Sequence, residues 1–174
     1  MLKVSDMADF IAFQLPEDGA LAEQALLDIV ANPDKTYIDA FDFSLSSLFT
    51  EIEKADANGV SGEILIDRRE SGKPAQKARI SVLSRTLKNW RITIGSAAYG
   101  KTPSQINHSK TVVTESSTGL PWCWTGSTNI TDVAFNEENS VYVFRSKQFS
   151  DMFIAHLMDH IEWNRKNHPT WQIQ

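Results

Sequence analysis

Four side chains of the kinds used in phosphate chemistry form two closely spaced pairs in the second half of the chain. His108 and Lys110 are two residues apart, so they project from the same face of a predicted strand. Ser127 and Asn129 stand in the same relation if the next strand continues through them. Glu115 lies at an odd offset from His108 and is predicted to face away or to lie beyond the strand end. An imidazole, an ammonium, a hydroxyl and a carboxamide could therefore converge, with a carboxylate behind them.

This set of groups suits attack on a phosphodiester. A neutral imidazole can act as the nucleophile at phosphorus. An ammonium and a carboxamide can hold the non-bridging oxygens, where negative charge develops in the transition state. This chemistry requires no set of metal ligands, so we expect neither a metal nor another cofactor.

The joined pattern resembles the HxKx4D…GSxN signature of the phospholipase D superfamily. His108, Lys110 and Glu115 match its first part, and residues 126–129 (GSTN) match its second. Residues 136–139 (NEEN) resemble the NxEN segment of the small bacterial nucleases of that superfamily. Glu115 stands where the family usually has Asp, an acid whose role there is generally structural.

The resemblance implies a role for each matching residue. His108 would be the nucleophile and would form a covalent phosphohistidine. Lys110 and Asn129 would bind the phosphate, and Ser127 would support them by hydrogen bonding. Glu138 would orient the imidazole through its other nitrogen.

The same resemblance implies a homodimer. The mechanism needs a second imidazole to protonate the leaving oxygen and then to activate water. The chain contains one HxK, and its other histidines, His156, His160 and His168, lie in or after the last predicted helix. Family members with a single motif dimerise about a two-fold axis, which places two motifs across one cleft.

Hydrophobic periodicity and turn signals predict a single α/β domain over residues 1–174. Strands alternate with helices in the first half and follow one another in the second, so we expect a mixed, largely parallel β-sheet flanked by helices on both faces. The polar segment 68–74 is predicted to be a loop. The predicted helices are 16–31, 45–57, 75–88 and 147–166, and the predicted strands are 35–43, 60–67, 91–97, 106–114, 121–127 and 141–144 with its flanks.

Composition restricts the class of protein. The chain has 174 residues, of which 41% are hydrophobic and 22% charged, as expected for one globular domain. No uncharged apolar stretch is long enough to span a membrane, and no signal peptide is recognised at the start. A single cysteine, Cys123, allows no internal disulfide. We therefore expect a cytoplasmic protein without a membrane partner.

Charge is distributed unevenly. The net charge is −5, but residues 67–110 contain ten basic and two acidic residues and so carry +8. This window favours a polymeric anion as substrate. Arg68, Arg69 and Lys73 follow a strand end and could track a phosphate backbone, although a solvated loop fits them equally well. Trp124 could stack on an unpaired base, or pack in the core.

These observations predict a metal-independent phosphodiesterase, most simply an endonuclease acting on DNA. One alternative is a phospholipase or phosphatidyltransferase. Another is a catalytically silent nucleic-acid-binding subunit of a larger defence or restriction assembly. His156 and His160 have a spacing that can chelate zinc, but no third ligand is evident in the sequence.

Overall fold

The computed structural model describes residues 9–96 and 107–172. Seven strands and five helices make up these ranges, together with 3-10 turns at Ala134–Asn136 and Pro169–Trp171. The strands are β1 (Phe10–Leu15), β2 (Lys35–Ala40), β3 (Ser61–Asp67), β4 (Trp90–Gly95), β5 (Lys110–Glu115), β6 (Trp122–Gly126) and β7 (Asn139–Arg145). The helices are α1 (Gly19–Ala31), α2 (Ser46–Ala57), α3 (Arg68–Ser71), α4 (Pro74–Thr86) and α5 (Lys147–Asn167).

The strands form one mixed sheet in the order β1-β7-β6-β5-β2-β3-β4. The pairs β2–β3 and β3–β4 are parallel, and the other four pairs are antiparallel. The α/β class and the mixed sheet are confirmed, but the expectation of a largely parallel sheet is wrong. Parallel neighbours need a long crossover connection, usually a helical one, and among strands that are neighbours in the sheet only β2–β3 and β3–β4 are joined in this way. The later strands follow one another through shorter connections and pair antiparallel.

Helices cover both faces of the sheet, as predicted. On one face, Ile38 and Ile64 pack in a core with residues of α1, α2 and α4. On the other face, Tyr37 and Leu65 pack against Leu157 and other residues of α5. Neighbouring residues of β2 and β3 thus point to opposite faces, and both strands are buried on both sides.

Strands β1 and β2 and the segment after β3 differ from the prediction. Strand β1 was missed, although Phe13 and Leu15 alternate inward along it and it pairs antiparallel with β7. Strand β2 ends at Ala40 rather than at residue 43. The predicted loop over 68–74 contains α3, a helix of four residues that is too short to show helical periodicity in a sequence. The Asp67 side chain caps this helix by accepting a hydrogen bond from the Arg69 amide.

One edge of the sheet brings together the ends of several strands that carry candidate residues. Strands β2, β3 and β4 end at this edge, and β5 begins there because it pairs antiparallel with β2, with Lys110 opposite Ala40. Strand β6 ends and β7 begins at the same edge. We call it the upper edge. No helix in the described ranges is both long and apolar enough to cross a membrane.

Candidate active site

His108 and Lys110 lie together at the upper edge, against the ring of Phe41. Strand β5 begins at Lys110, and the exposed His108 precedes it. The His108 and Phe41 rings meet edge to face with their centroids 4.8 Å apart. The Lys110 ammonium donates a hydrogen bond to the His108 carbonyl oxygen at 3.0 Å and lies 5.3 Å from the Phe41 centroid. Although the strand predicted over 106–114 begins later, the structure keeps the two side chains next to each other.

Lys110 is a buried cation. Only 5% of the residue is exposed, and burial lowers the pKa of its ammonium. Within the described ranges, no carboxylate lies in salt-bridge distance of it. A buried charge without a counter-ion is costly, so an anionic ligand beside Lys110 would supply the missing negative charge.

A network of hydrogen bonds fixes the segment that precedes β5. The Asn107 amide donates to Asp67 Oδ2 at 2.7 Å, and its side-chain amide donates to Asp39 Oδ1. The Ser109 amide donates to Asn107 Oδ1 at 3.3 Å, and the Ser109 carbonyl accepts from the Phe41 amide at 2.8 Å. The backbone on both sides of the candidate nucleophile is therefore tied to the ends of β2 and β3.

The sequence interpretation did not include the two carboxylates of this network. Asp39 is 3% exposed, and burial raises its pKa to about 6 against the lowering effect of hydrogen bonds from Asn107 and Ser109. Burial likewise raises the pKa of Asp67, while backbone amides of neighbouring residues lower it. One sequence feature could have revealed them. Each is an acidic residue at or near the end of a predicted buried strand, and acids are seldom buried without a partner.

The segment that follows β6 lies beside the His108 segment. Strand β6 ends at Gly126, so Ser127 and Asn129 do not continue it as the spacing required. Ser127 Oγ donates to Asn139 Oδ1 at 3.0 Å and accepts from the Ser140 amide at 3.0 Å. Asn129 Oδ1 is buried and has no hydrogen-bond partner among the described residues.

Gly126 explains how this segment can approach β7 so closely. A Cβ atom at this position would lie 2.1 Å from the Ser140 carbonyl oxygen, a distance that no side chain tolerates. The glycine of the GSTN motif is thus required by the backbone contact that positions Ser127.

Glu138 lies at the upper edge but not against His108. It lines a cavity of about 480 Å³ together with Ser127, Asn139 and residues 14–17. Strand β6 separates β7 from β5, so about 10 Å separates the two strands at a spacing of about 4.8 Å. No hydrogen bond joins Glu138 to His108 in the described structure, and the orienting role implied for Glu138 stays a prediction.

Glu115 lies away from the other candidates, which corrects the grouping with the catalytic residues that its match to the HxKx4D pattern suggests. It is the last residue of β5, and five residues at about 3.3 Å each place it about 16 Å from Lys110. It accepts a hydrogen bond from the Tyr37 hydroxyl at 3.1 Å. Burial and then the Glu115 charge raise the pKa of Tyr37. Its observed partner is thus a core tyrosine at the lower end of the sheet.

Trp124 cannot stack on a substrate base, so this prediction is wrong. The side chain is fully buried between the sheet and α1, and its indole nitrogen donates to the Ala22 carbonyl at 3.3 Å. Sequence alone did not show which face of β6 is covered. The neighbouring Cys123 is also buried, and burial raises the pKa of its thiol to about 12.

The three predicted basic residues follow β3 at the upper edge, two strands from β5. Arg68 is exposed and lies over the ring of Trp171, with the guanidinium carbon 4.2 Å from the ring centroid. Lys73 is paired with Glu70, which raises the pKa of the lysine. The Arg69 amide contributes to the cap of α3.

The two histidines on α5 lie side by side. The rings of His156 and His160 lie 4.0 Å apart, and burial lowers the pKa of His160 to about 4, with a further contribution from His156. Among the residues that the structure describes, no group of three His, Cys, Asp or Glu side chains could hold a metal ion.

The fold and the motif residues agree with one family. Residues 29–162 match the family described as "Cardiolipin synthase, PLD-like domain", so the chain belongs to this phospholipase D-like family, as the motif predicts. No curated protein sequence matches it significantly.

Solved structures show the same architecture. NucT from Helicobacter pylori superposes with a TM-score of 0.77 at 16% identity, covering 88% of this chain and 96% of that one. Nuc from Salmonella typhimurium, a phospholipase D family member, gives 0.70 at 20% identity, covering 88% and 94%. The phosphatidylserine synthase of Haemophilus influenzae gives 0.62 at 14%, covering 90% of this chain and 38% of its own. At these identities the likeness concerns the fold, and the predicted phospholipase D-like fold is confirmed.

Proposed function

We propose that the protein is a metal-independent phosphodiesterase that cleaves nucleic acid, DNA in the first place, through a covalent phosphohistidine at His108. One observation carries the proposal. The exposed His108 imidazole lies beside the buried Lys110 ammonium, which has no carboxylate partner in the described ranges. A phosphodiester placed there would receive a nucleophile and a counter-charge at once.

In the first step, an imidazole nitrogen of His108 forms a bond to phosphorus. The bond from phosphorus to the leaving oxygen breaks with its electron pair, and an imidazolium from a second copy gives that oxygen a proton. Lys110 stabilises the negative charge that develops on the non-bridging oxygens.

In the second step, a water oxygen attacks phosphorus and the phosphorus–nitrogen bond breaks. The imidazole of the second copy takes the proton of the water, which restores the starting protonation states. One phosphodiester and one water thus give one alcohol and one phosphomonoester.

The motif segment after β6 would complete the phosphate site. Asn129 carries a buried carbonyl oxygen without a hydrogen-bond partner among the described residues, so a small rotation of its carboxamide could offer the amide donors to a phosphate. Ser127 is tied to Asn139 and Ser140, which keeps this segment in place.

An exposed apolar strip supports the proposed homodimer. Phe10 on β1 and Tyr142 on β7 are 60% and 39% exposed, and their rings lie 6.3 Å apart. They lie on the sheet face that carries α5, where Phe144 packs against Phe149 with centroids 5.1 Å apart. Met152 on α5 is 66% exposed. Because adjoining exposed apolar side chains mark a candidate interface, we infer that a second copy covers this strip.

The substrate class rests on charge and on the family. The basic window includes Arg68 at the upper edge, which favours a polyanion. The family description names a lipid synthase, so phosphatidyl transfer is the second candidate function. A silent binding subunit of a larger defence or restriction assembly is the outcome expected if binding occurs without cleavage.

The test compares wild type with His108→Ala in excess EDTA on plasmid DNA, single-stranded DNA and phosphatidylglycerol vesicles. Lys88→Met is the matched surface control, since the Lys88 side chain is exposed and contacts no motif residue. We expect EDTA-resistant DNA cleavage by wild type and the control, and none by His108→Ala. Cleavage that survives in His108→Ala would refute the proposal, and release of lipid headgroup without DNA cleavage would favour the second candidate.

The dimer has its own test. Adding excess His108→Ala to wild-type protein would form mixed dimers that contain only one His108. Activity should therefore fall in proportion to the fraction of wild-type chains present in mixed dimers. Sedimentation of an active monomer would contradict the shared site.

A further inference from the structure

Arg68 is a cation at the upper edge that lacks a carboxylate partner. It begins α3 directly after β3 and is exposed. Within residues 9–96 and 107–172, no carboxylate lies within 4.0 Å of its guanidinium. The neighbouring Lys73, in contrast, is neutralised by Glu70. The charge of Arg68 is therefore available to a ligand from solution.

The indole of Trp171 holds this guanidinium in place. The guanidinium carbon lies 4.2 Å from the ring centroid, a distance at which cation–π attraction is effective. Stacking on an aromatic face leaves the N–H groups at the rim of the guanidinium free, and these form the planar fork that binds phosphate oxygens in pairs.

The ring of Trp171 is itself fixed by the edge strand β4. The Gln172 side chain accepts from the Ile94 amide at 3.1 Å and donates to the Ile94 carbonyl at 3.0 Å. It also donates to the His168 carbonyl at 3.1 Å. These bonds anchor the 3-10 turn that carries Trp171 to strand β4.

Two further rings extend the stack behind Trp171. The His168 ring lies 3.6 Å from that of Trp171 and only 6° from parallel, and Trp163 meets His168 edge to face at 5.2 Å. Burial and the nearby Arg68 charge lower the pKa of His168. This shift disfavours a second cation in the stack.

We propose that Arg68, held on Trp171, binds a backbone phosphate of the nucleic-acid strand a few nucleotides from the phosphate at His108. The inference rests on the proposed function, which it deepens by assigning a second phosphate site. Strand β2 separates β3 from β5, so the strand ends that carry the two sites are about 10 Å apart along the upper edge.

The experiment measures binding of a fluorescein-labelled single-stranded 20-mer by anisotropy at several salt concentrations, with every protein carrying His108→Ala so that the probe is not cleaved. The variants are Arg68→Ala, Arg68→Lys and Trp171→Phe, with Arg85→Ala as the matched control. Arg85 is an exposed arginine in the last turn of α4, so its loss changes the net charge equally. Each variant, with His108 intact, is also assayed on bis(p-nitrophenyl) phosphate, which is too small to reach a second phosphate site.

We expect Arg68→Ala to weaken binding about five- to tenfold at 0.1 M salt and to reduce the salt-dependence slope by about one, while Arg85→Ala changes neither. Arg68→Lys should restore the slope but not the affinity, because lysine keeps the charge and lacks the planar fork. Trp171→Phe should weaken binding about twofold through poorer stacking. Hydrolysis of the small diester should be the same in all variants.

Equal affinities of Arg68→Ala and Arg85→Ala would overturn this inference while leaving the proposed function intact. Failure of the wild type to hydrolyse the small diester would instead count against the proposed function. In that case, a selective loss of binding in Arg68→Ala would still support the second phosphate site.

Discussion

Replacing Asp39 by asparagine should make the fold more stable at neutral pH. The carboxyl is buried among Asn107, Ser109 and the side of α5 that carries His156. Burial raises its pKa from 3.8 to about 6, so the folded state holds a proton that the unfolded state releases. Stability contributed by that proton is present below about pH 4 and is lost as the pH rises to about 6.

The size of the effect follows from this shift. About two pKa units at 1.36 kcal/mol each give ~3 kcal/mol as the upper limit of the stability lost across this range. Asparagine does not titrate, and its carbonyl can still accept the hydrogen bond from the Asn107 side chain. The stability of Asp39→Asn relative to wild type should therefore rise by up to ~3 kcal/mol between pH 4 and pH 7.

Urea unfolding at fixed protein concentration, at pH 4, 5, 6 and 7, measures this difference. Asp9→Asn, at an exposed carboxyl, is the matched control and should show no such rise. Because other titrating groups are common to both proteins, their contributions cancel in the difference. A difference between Asp39→Asn and wild type that stays constant or falls with pH would refute the reasoning.

Three further predictions concern the site. Lys110→Met should raise the melting temperature in thermal unfolding and lower hydrolysis of a small phosphodiester by at least 100-fold, because it removes a buried charge that only the substrate pairs; a melting temperature below that of Lys88→Met would contradict this. Asn107→Ala should lower kcat about tenfold with little change in KM, since it releases the His108 segment without touching the phosphate site; an unchanged kcat would count against the network. Glu115→Gln should leave steady-state activity within twofold of wild type, and a loss as large as that of Lys110→Met would return Glu115 to the site.

Local spacing predicted the centre of the candidate site well. His108 and Lys110 are close in sequence, so any extended backbone keeps them together, and both contact Phe41 in the structure. The GSTN motif likewise includes a glycine that the contact with Ser140 requires. These features depend on neighbours along the chain or on one strand pair.

The features that sequence did not predict depend on tertiary packing. The burial of Trp124 is decided by α1, which lies about 100 positions away along the chain. Asp39 and Asp67 meet Asn107 only because β2, β3 and the start of β5 share one edge. The alternation of inward and outward residues in β1 was present in the sequence. It extends over only six residues that follow Asp6 and Asp9, which is too short a run to predict a strand.

The central claim is most directly tested by trapping the covalent intermediate. Wild type and His108→Ala are mixed with a labelled oligonucleotide in EDTA, quenched in alkali, where phosphohistidine survives, and digested for mass spectrometry. We predict a phosphate-linked adduct on the peptide that contains His108, and no adduct on any peptide of His108→Ala. Turnover of the oligonucleotide with the adduct on another residue, or with none on His108, would contradict the account.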